Sequence, residues 1–182
     1  MTGTGGQGAQ LFSDDFEDGN ADGWTVAGGT WAIVKDGSQV YAQQATGTSS
    51  NVLLSANGST AWTDQVIEVK LKVLAFGGQS TSYFAAIYAR YNGTDYYALT
   101  LREDGHLAIR KDKATLGNAV DAGIVAGTWY TVRFEVVGAS LKAYVNGVLE
   151  DSETDSSLTS GGIALSTVNA TAEFDDVKVT LP

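Results

Sequence analysis

Residues 87–109 read IYARYNGTDYYALTLREDGHLAI and carry a clear strand-and-turn pattern. Apolar side chains recur at every second position in three short runs, at 87–91, 97–101 and 107–109, as half-buried β-strands require. The runs are separated by Asn92-Gly93 and Asp104-Gly105, dipeptides that supply the positive φ angles of tight hairpin turns. The stretch therefore predicts three consecutive antiparallel strands.

The same period of two continues on both sides of this stretch. It appears at 67–73, 130–136 and 141–145, with further turn signals at Asn146-Gly147 and Gly161-Gly162. Turn signals spaced about 8–12 residues apart are typical of a β-sandwich, and no segment has the pattern of a long amphipathic helix. We expect an all-β fold of about ten to twelve antiparallel strands in two packed sheets, and the length favours a jelly roll over an immunoglobulin topology.

The composition excludes several classes of function. The chain has 182 residues, 21 acidic and 11 basic, a formal net charge of -10, one His and no Cys. The absence of Cys excludes thiol nucleophiles, Cys-ligated zinc and disulfides, and a single His leaves little for acid–base chemistry. Because duplex nucleic acid and anionic membranes attract clustered positive charge, neither is expected as a partner. A size near 180 residues suits one domain.

The first ten residues, MTGTGGQGAQ, differ from the rest in composition. A Gly/Thr/Gln run is typical of a flexible linker, and it lacks the charged-then-apolar pattern of a signal peptide. We expect residues 1–10 to be linker with an added start Met and residues 11–182 to be one monomeric β-sandwich module of a longer, secreted bacterial protein. The alternative is a frayed natural terminus.

Four motifs along the chain resemble one family of jelly rolls. They are LFSDDFEDGNADGW at 11–24, GTWYTVRFE at 127–135, LKAYVNG at 141–147 and AEFDDVKV at 172–179. Together they resemble the concanavalin-A-like or laminin-G-like modules attached to bacterial polysaccharide lyases, particularly of the pectate-lyase type, and to glycoside hydrolases. The resemblance covers nearly the whole chain from Leu11. It implies a non-catalytic carbohydrate-binding module that holds a linked catalytic domain on its polysaccharide.

The two acidic ends suggest a cation site. Ca²⁺ takes six to eight oxygen ligands, many from carboxylates, and the first and last strands of jelly rolls commonly lie side by side. Related modules carry a structural calcium between these two ends. The resemblance therefore implies Ca²⁺ held by Glu17 with Asp14 or Asp15, and by Asp175 or Asp176. The alternative is a solvated acidic turn at each end.

Alternation also predicts a ligand-binding face. If Ile87, Ala89 and Tyr91 point to the core, as Leu99 and Leu107 do, the opposite face carries Tyr88, Arg90, Tyr96, Arg102, His106 and Arg110. Aromatic rings offer apolar platforms to sugar C–H groups, and Arg forks pair with carboxylates. We expect this face to bind an acidic, uronate-containing polysaccharide such as pectin. The alternative is an ordinary solvated face that balances nearby carboxylates.

Other interpretations stay open at this point. Trp62 lies in a loop that enters a strand and is either an exposed stacking platform or a plug of the core. An adhesion or structural domain with a protein partner is a second functional hypothesis. A small polysaccharide lyase is a third, with His106, Tyr96 and Arg102 as candidates for its base site.

Overall fold

Every regular element in the described part of the chain is a β-strand. The structure is a computed structural model that describes residues 8–46 and 52–182, with side chains omitted at 52–55. The strands are β1 (Gln10–Asp14), β2 (Thr25–Val26), β3 (Trp31–Asp36), β4 (Ser38–Gln43), β5 (Val52–Asn57), β6 (Gln65–Phe76), β7 (Phe84–Tyr91), β8 (Tyr97–Arg102), β9 (His106–Lys111), β10 (Ala114–Thr115), β11 (Val120–Asp121), β12 (Trp129–Val137), β13 (Ser140–Val145), β14 (Val148–Thr154), β15 (Gly162–Val168) and β16 (Ala170–Thr180).

The strands form two eight-stranded antiparallel sheets. The first sheet has the order β14-β13-β12-β6-β16-β4-β3, with β1 beside β16, and the second has β10-β9-β8-β7-β15-β5-β2, with β11 beside β9. The predicted two-sheet jelly-roll sandwich is confirmed. The described strands number 16, above the expected ten to twelve, partly because β2, β10 and β11 are two-residue pairings that periodicity does not reveal.

Alternation builds the core between the sheets. In β12, Val132, Phe134 and Val136 are buried while Arg133 and Glu135 stay partly exposed. Leu99 and Leu101 of β8 are buried on the inner face of the second sheet. These inner faces meet in one large apolar cluster, so the hydrophobic effect holds the two layers together.

The two chain ends meet in the first sheet. Antiparallel pairing of β1 with β16 sets Ser13 opposite Lys178 and Asp14 opposite Val177, which confirms that first and last strands are neighbours. Gln10 pairs with Thr180 in the same ladder, so the sheet begins inside the segment predicted as linker. Residues 1–7 of that segment lie outside the described residues.

Within the described ranges, no helix is long and apolar enough to cross a membrane.

Candidate functional site

The outer face of the second sheet has a floor of small side chains. One cross-strand row runs Ser166, Ala86, Thr100 and Ala108 across β15, β7, β8 and β9. All four are buried, although they point away from the main core. A floor of small residues lets large flat groups lie down on the sheet, and such groups occupy both ends of it.

A stack of tyrosines occupies one end of this floor. The rings of Tyr88 and Tyr96 are parallel, with centroids 3.9 Å apart and 3° between their planes. Tyr91 packs against both rings, with centroids 6.3 Å from Tyr88 and 6.5 Å from Tyr96. Burial raises the pKa of Tyr88, and its hydroxyl accepts a hydrogen bond from Ser166 Oγ at 3.2 Å. Tyr88 therefore shares the predicted face but is covered, and Tyr91 and Tyr96 are the rings that solvent reaches.

Phe84 and Arg102 occupy the other end, and Arg110, which starts in the same cross-strand row as Tyr88, reaches toward them. The guanidinium of Arg110 lies over the ring of Phe84, 5.2 Å from its centroid. Since these residues sit on β9 and β7, their side chains meet above Thr100 of β8, which explains the complete burial of Thr100. Arg102 is the cross-strand partner of Phe84. The structure therefore places one guanidinium, that of Arg110, on the Phe84 ring, and Arg102 beside Phe84 in the ladder.

These guanidinium groups are only partly engaged. Arg102 Nη2 donates to Asp104 Oδ2 at 2.8 Å, and Arg110 Nη2 donates to the carbonyl of Lys113. Among the described residues, Nε of each arginine is buried without an acceptor. An unsatisfied buried donor costs about 1–3 kcal/mol. Both side chains remain partly exposed, and this exposed part is available to a ligand that brings oxygen acceptors.

His106 lies at the rim near Arg102. Its Nδ1 is 3.0 Å from the carbonyl oxygen of Asp104, and the side chain is partly exposed. Arg102 is the last residue of β8, and Tyr96 is the residue just before the strand begins. At the rise of an extended strand, about 3.3 Å per residue, their backbones are about 20 Å apart. The trio considered for a lyase site is therefore not assembled.

Arg90 does not belong to the predicted face, and that expectation is corrected. The register between β7 and β15 shifts at Ala89 and Arg90, because these two residues of β7 face the single residue Ile163 of β15. Arg90 has φ 48°. This β-bulge turns the side chain away from the outer face. It also moves Tyr91 out of the core position that alternation predicts and onto the tyrosine stack.

The guanidinium of Arg90 is held by the protein itself. Nε donates to the Thr63 carbonyl at 2.8 Å, and Nη1 donates to the carbonyls of Gly138 at 2.9 Å and Leu158 at 2.7 Å. Nη2 lies 3.3 Å from Asp64 Oδ1. Burial lowers the pKa of Arg90, and the charge of Asp64 opposes that shift. With its side chain 3% exposed, Arg90 is a structural cation.

Trp62 is partly buried and packs against the main core. A Cβ on Gly58 would lie 2.3 Å from its ring. These contacts favour a packing role for Trp62 at the edge of the core over a role as an exposed stacking platform for sugar.

The acidic residues at the two ends divide into two groups. Asp14, Asp15 and Asp176 line a surface cavity of about 490 Å³ together with Asp18 and Glu68. Glu17 and Asp175 instead accept hydrogen bonds from the first two residues of β4: Gln39 N donates to Glu17 at 3.0 Å, and Ser38 Oγ donates to Asp175 at 2.9 Å.

The carboxylates near the cavity already have partners. Asp14 accepts from Phe16 N at 2.9 Å and from Trp24 Nε1 at 2.8 Å, and Asp176 pairs with Lys70 at 2.6 Å. Burial raises the pKa of Asp14, and the charges of Asp18 and Asp15 raise it further. The described residues contain no cluster of three or more His, Cys, Asp or Glu placed to hold a metal. The carboxylates thus do not converge on one ion in this geometry, and the calcium site stays a prediction.

The two packed antiparallel sheets define a concanavalin-A-like jelly-roll domain. This is the class of domain that the sequence motifs resemble. The family model of the 3-keto-alpha-glucoside-1,2-lyase-like domain matches residues 11–180. The chain belongs to this family. The search of curated proteins found no match to this chain.

Several solved structures share the fold. Carbohydrate binding module CBM66 from Bacillus subtilis is 19% identical with a TM-score of 0.71, covering 87% of this chain and 95% of that one. Cellulose induced protein Cip1 is 14% identical with a TM-score of 0.71, covering 93% and 96%. Bacillus licheniformis beta-glucanase is 17% identical with a TM-score of 0.66, covering 99% and 100%. Since modules and enzymes share this jelly roll, function has to be argued from the site.

Proposed function

We propose that this protein is a non-catalytic carbohydrate-binding module whose outer face on the second sheet binds an acidic polysaccharide. The observation that carries the proposal is a pair of partly exposed arginines on this face, Arg102 and Arg110, with the guanidinium of Arg110 over the ring of Phe84. Carboxylates and hydroxyls supply acceptors for guanidinium donors.

The layered rings and guanidinium planes suit a sugar chain. Tyr96 lies flat on Tyr88 and Arg110 lies over Phe84, so both ends of the face present flat groups to solvent. Apolar sugar faces pack on such surfaces. The module named CBM66 and the cellulose induced protein Cip1 have the same fold, which supports a sugar ligand.

The net charge of -10 does not oppose an acidic ligand at contact. Charges more than about 8–10 Å away are screened at physiological salt. The acidic cavity involves the β1 and β16 strands of the first sheet, whereas the arginines belong to β8 and β9 of the second. Local charge therefore governs binding at the face.

The decisive experiment is affinity electrophoresis with polygalacturonate, alginate, xylan and β-glucan. We expect retardation by the acidic polymers, and we expect the double variant Arg102→Ala/Arg110→Ala to lose about 10–100-fold in affinity, because a charge-assisted hydrogen bond is worth about 1.5–3 kcal/mol. Arg133→Ala is the matched control, since Arg133 lies on the first sheet and pairs with Glu135. Equal binding by the double variant and the parent would refute the proposal that this face binds the polysaccharide.

The family match supports a second candidate, a lyase, because the family is described as lyase-like. Incubation with polygalacturonate and with a 3-keto-glucoside would separate the two. Release of unsaturated or cleaved product by the purified protein would replace the binding proposal with a catalytic one.

We also propose that the module acts as a monomer outside a bacterial cell and tethers a linked catalytic domain to polysaccharide, since tethering raises the local concentration of enzyme. Exposed large apolar side chains in the described residues are scattered over separate elements, apart from the adjacent Val148 and Leu149. Scattered residues of this kind are ordinary on a monomer and do not favour the adhesion alternative.

A further inference from the structure

A second concavity adjoins the tyrosine end of the outer face. It has a volume of about 280 Å³ and lies between β2, the end of β5 and the turn from β7 to β8. Tyr91 belongs both to its wall and to the tyrosine stack, and Ala56 lines it while packing against the outer-face cluster. The concavity, here called the edge pocket, is therefore continuous with the proposed binding face.

The edge pocket differs chemically from the arginine end. Its polar side chains are Thr25, Asn57, Thr60, Tyr91 and Asn92, and the rest of its wall is Ala56 and four glycines. None of these side chains is charged at neutral pH. Hydroxyls, amides and one aromatic ring suit an uncharged ligand that carries hydroxyl groups, and a volume near 300 Å³ is at the small end of ligand pockets.

The two asparagines of the edge pocket differ in their hydrogen bonding. Asn92 Oδ1 accepts from Thr94 N at 3.0 Å and Asp95 N at 2.9 Å, so Asn92 shapes the turn that walls the pocket. Among the described residues, Asn57 Nδ2 is buried and has no acceptor. A Cβ on Gly23 would lie 3.1 Å from this nitrogen, so the amide sits directly against the pocket wall. Because χ2 of Asn is soft, a small rotation turns the amide toward a ligand oxygen.

We propose that the edge pocket binds one neutral sugar ring of the polysaccharide whose acidic residues lie on the arginine end. This inference rests on the proposed function, since the pocket extends the same face. Tyr91 would supply the stacking surface, while Thr25, Thr60 and Asn57 would bond ring hydroxyls. The protein would thereby recognise a heteropolysaccharide that carries both uncharged and acidic residues.

The test is a ¹H–¹⁵N correlation titration of the whole chain with two kinds of probe. The neutral probes are methyl α-D-glucopyranoside and methyl β-D-galactopyranoside, and the acidic probe is trigalacturonate. We expect a neutral glycoside to shift the amides of Gly58, Gly93 and Gly162, and trigalacturonate to shift those of Arg102 and Arg110.

A blocking variant sharpens the test. Thr25 is exposed and lines the pocket, whereas its neighbour Val26 is exposed outside it. Thr25→Trp should weaken neutral-glycoside binding at least tenfold and leave trigalacturonate binding unchanged. Val26→Trp, on the same short edge strand, should leave both unchanged.

The outcomes separate the two proposals. Trigalacturonate shifts at the arginines without any neutral-glycoside shift at the glycines would overturn the edge pocket and retain the proposed function. Neutral-glycoside shifts without trigalacturonate binding would retain the pocket and overturn the acidic ligand. Equal loss with Thr25→Trp and Val26→Trp would also overturn the pocket, and no shift with any probe would overturn both proposals.

Discussion

Replacing Arg90 by Ala separates a structural role of this residue from a role in ligand binding. The change removes the donor from three backbone carbonyls, those of Thr63, Gly138 and Leu158. Each buried acceptor left unsatisfied costs about 1–3 kcal/mol, and breaking a buried charged network by removing one partner costs about 3–5 kcal/mol. Asp64 is 39% exposed, so it returns to solvent at little cost. We therefore expect a loss of about 3–5 kcal/mol.

Urea unfolding followed by tryptophan fluorescence measures this loss. Domains have a stability of about 5–15 kcal/mol and m-values of about 1–3 kcal/mol/M in urea, increasing with size. With an m-value of about 3 kcal/mol/M, which suits a chain of 182 residues, the midpoint should fall by about 1–2 M. Arg90→Lys should recover only part of the loss, because an ammonium cannot reproduce the fork geometry. Arg133→Ala is the surface control and should change stability by less than about 1 kcal/mol.

The affinity for polysaccharide completes the Arg90 experiment. The folded fraction of Arg90→Ala should bind the ligand as the parent does. A variant with parental stability and weakened binding would refute the reasoning and restore Arg90 to the outer face.

Three further predictions concern stability. If Ca²⁺ binds the native state alone, a concentration 100-fold above its Kd adds about 2.7 kcal/mol, or about 5–10 °C in Tm; a Tm equal in chelator and in CaCl₂ rejects the ion. Gly58→Ala should cost about 2–4 kcal/mol in chemical unfolding, because its Cβ would meet the Trp62 ring at 2.3 Å and its φ is +95°, and parental stability would contradict the packed position of Trp62. Asp151 is buried with Oδ2 lacking a partner among the described residues, and desolvation raises its pKa. Asp151→Asn should therefore stabilise the protein at pH 7 by on the order of 1 kcal/mol. Because the folded pKa exceeds the unfolded one, this advantage should shrink as the pH falls through the folded pKa toward 3.8; an advantage independent of pH would show that the charge is not its source.

The outer face was predictable in part. Period-two alternation placed Tyr88, Tyr96, Arg102 and Arg110 on one face, and the structure agrees. Alternation states which side of a sheet a side chain leaves, but it does not state what lies on top of it. The burial of Tyr88 under Tyr96 depends on the small neighbours that let both rings lie flat.

The bulge at Arg90 could not be predicted from the neighbouring sequence. The bulge depends on groups far away in the chain: Gln65 Oε1 accepts from Arg90 N at 3.1 Å, and a Cβ on Gly161 would lie 2.2 Å from the Arg90 carbonyl carbon. A strand read by itself shows none of these partners. The edge pocket escaped prediction for a similar reason, since β2, β5 and the β7–β8 turn come together only across the sheet.

Local chemistry in the sequence was sufficient for the all-β class, the hairpin turns and the sides of the strands away from the bulge at Arg90, because each depends on neighbours within a few residues. The meeting of the chain ends agrees with the expectation for jelly rolls. Only contacts distant in sequence make Arg90 structural, bring Tyr91 to the outer face and divide the acidic ends into two groups. The reason is that a single inserted residue reverses every side chain beyond it, and the place of that insertion is set by contacts distant in sequence.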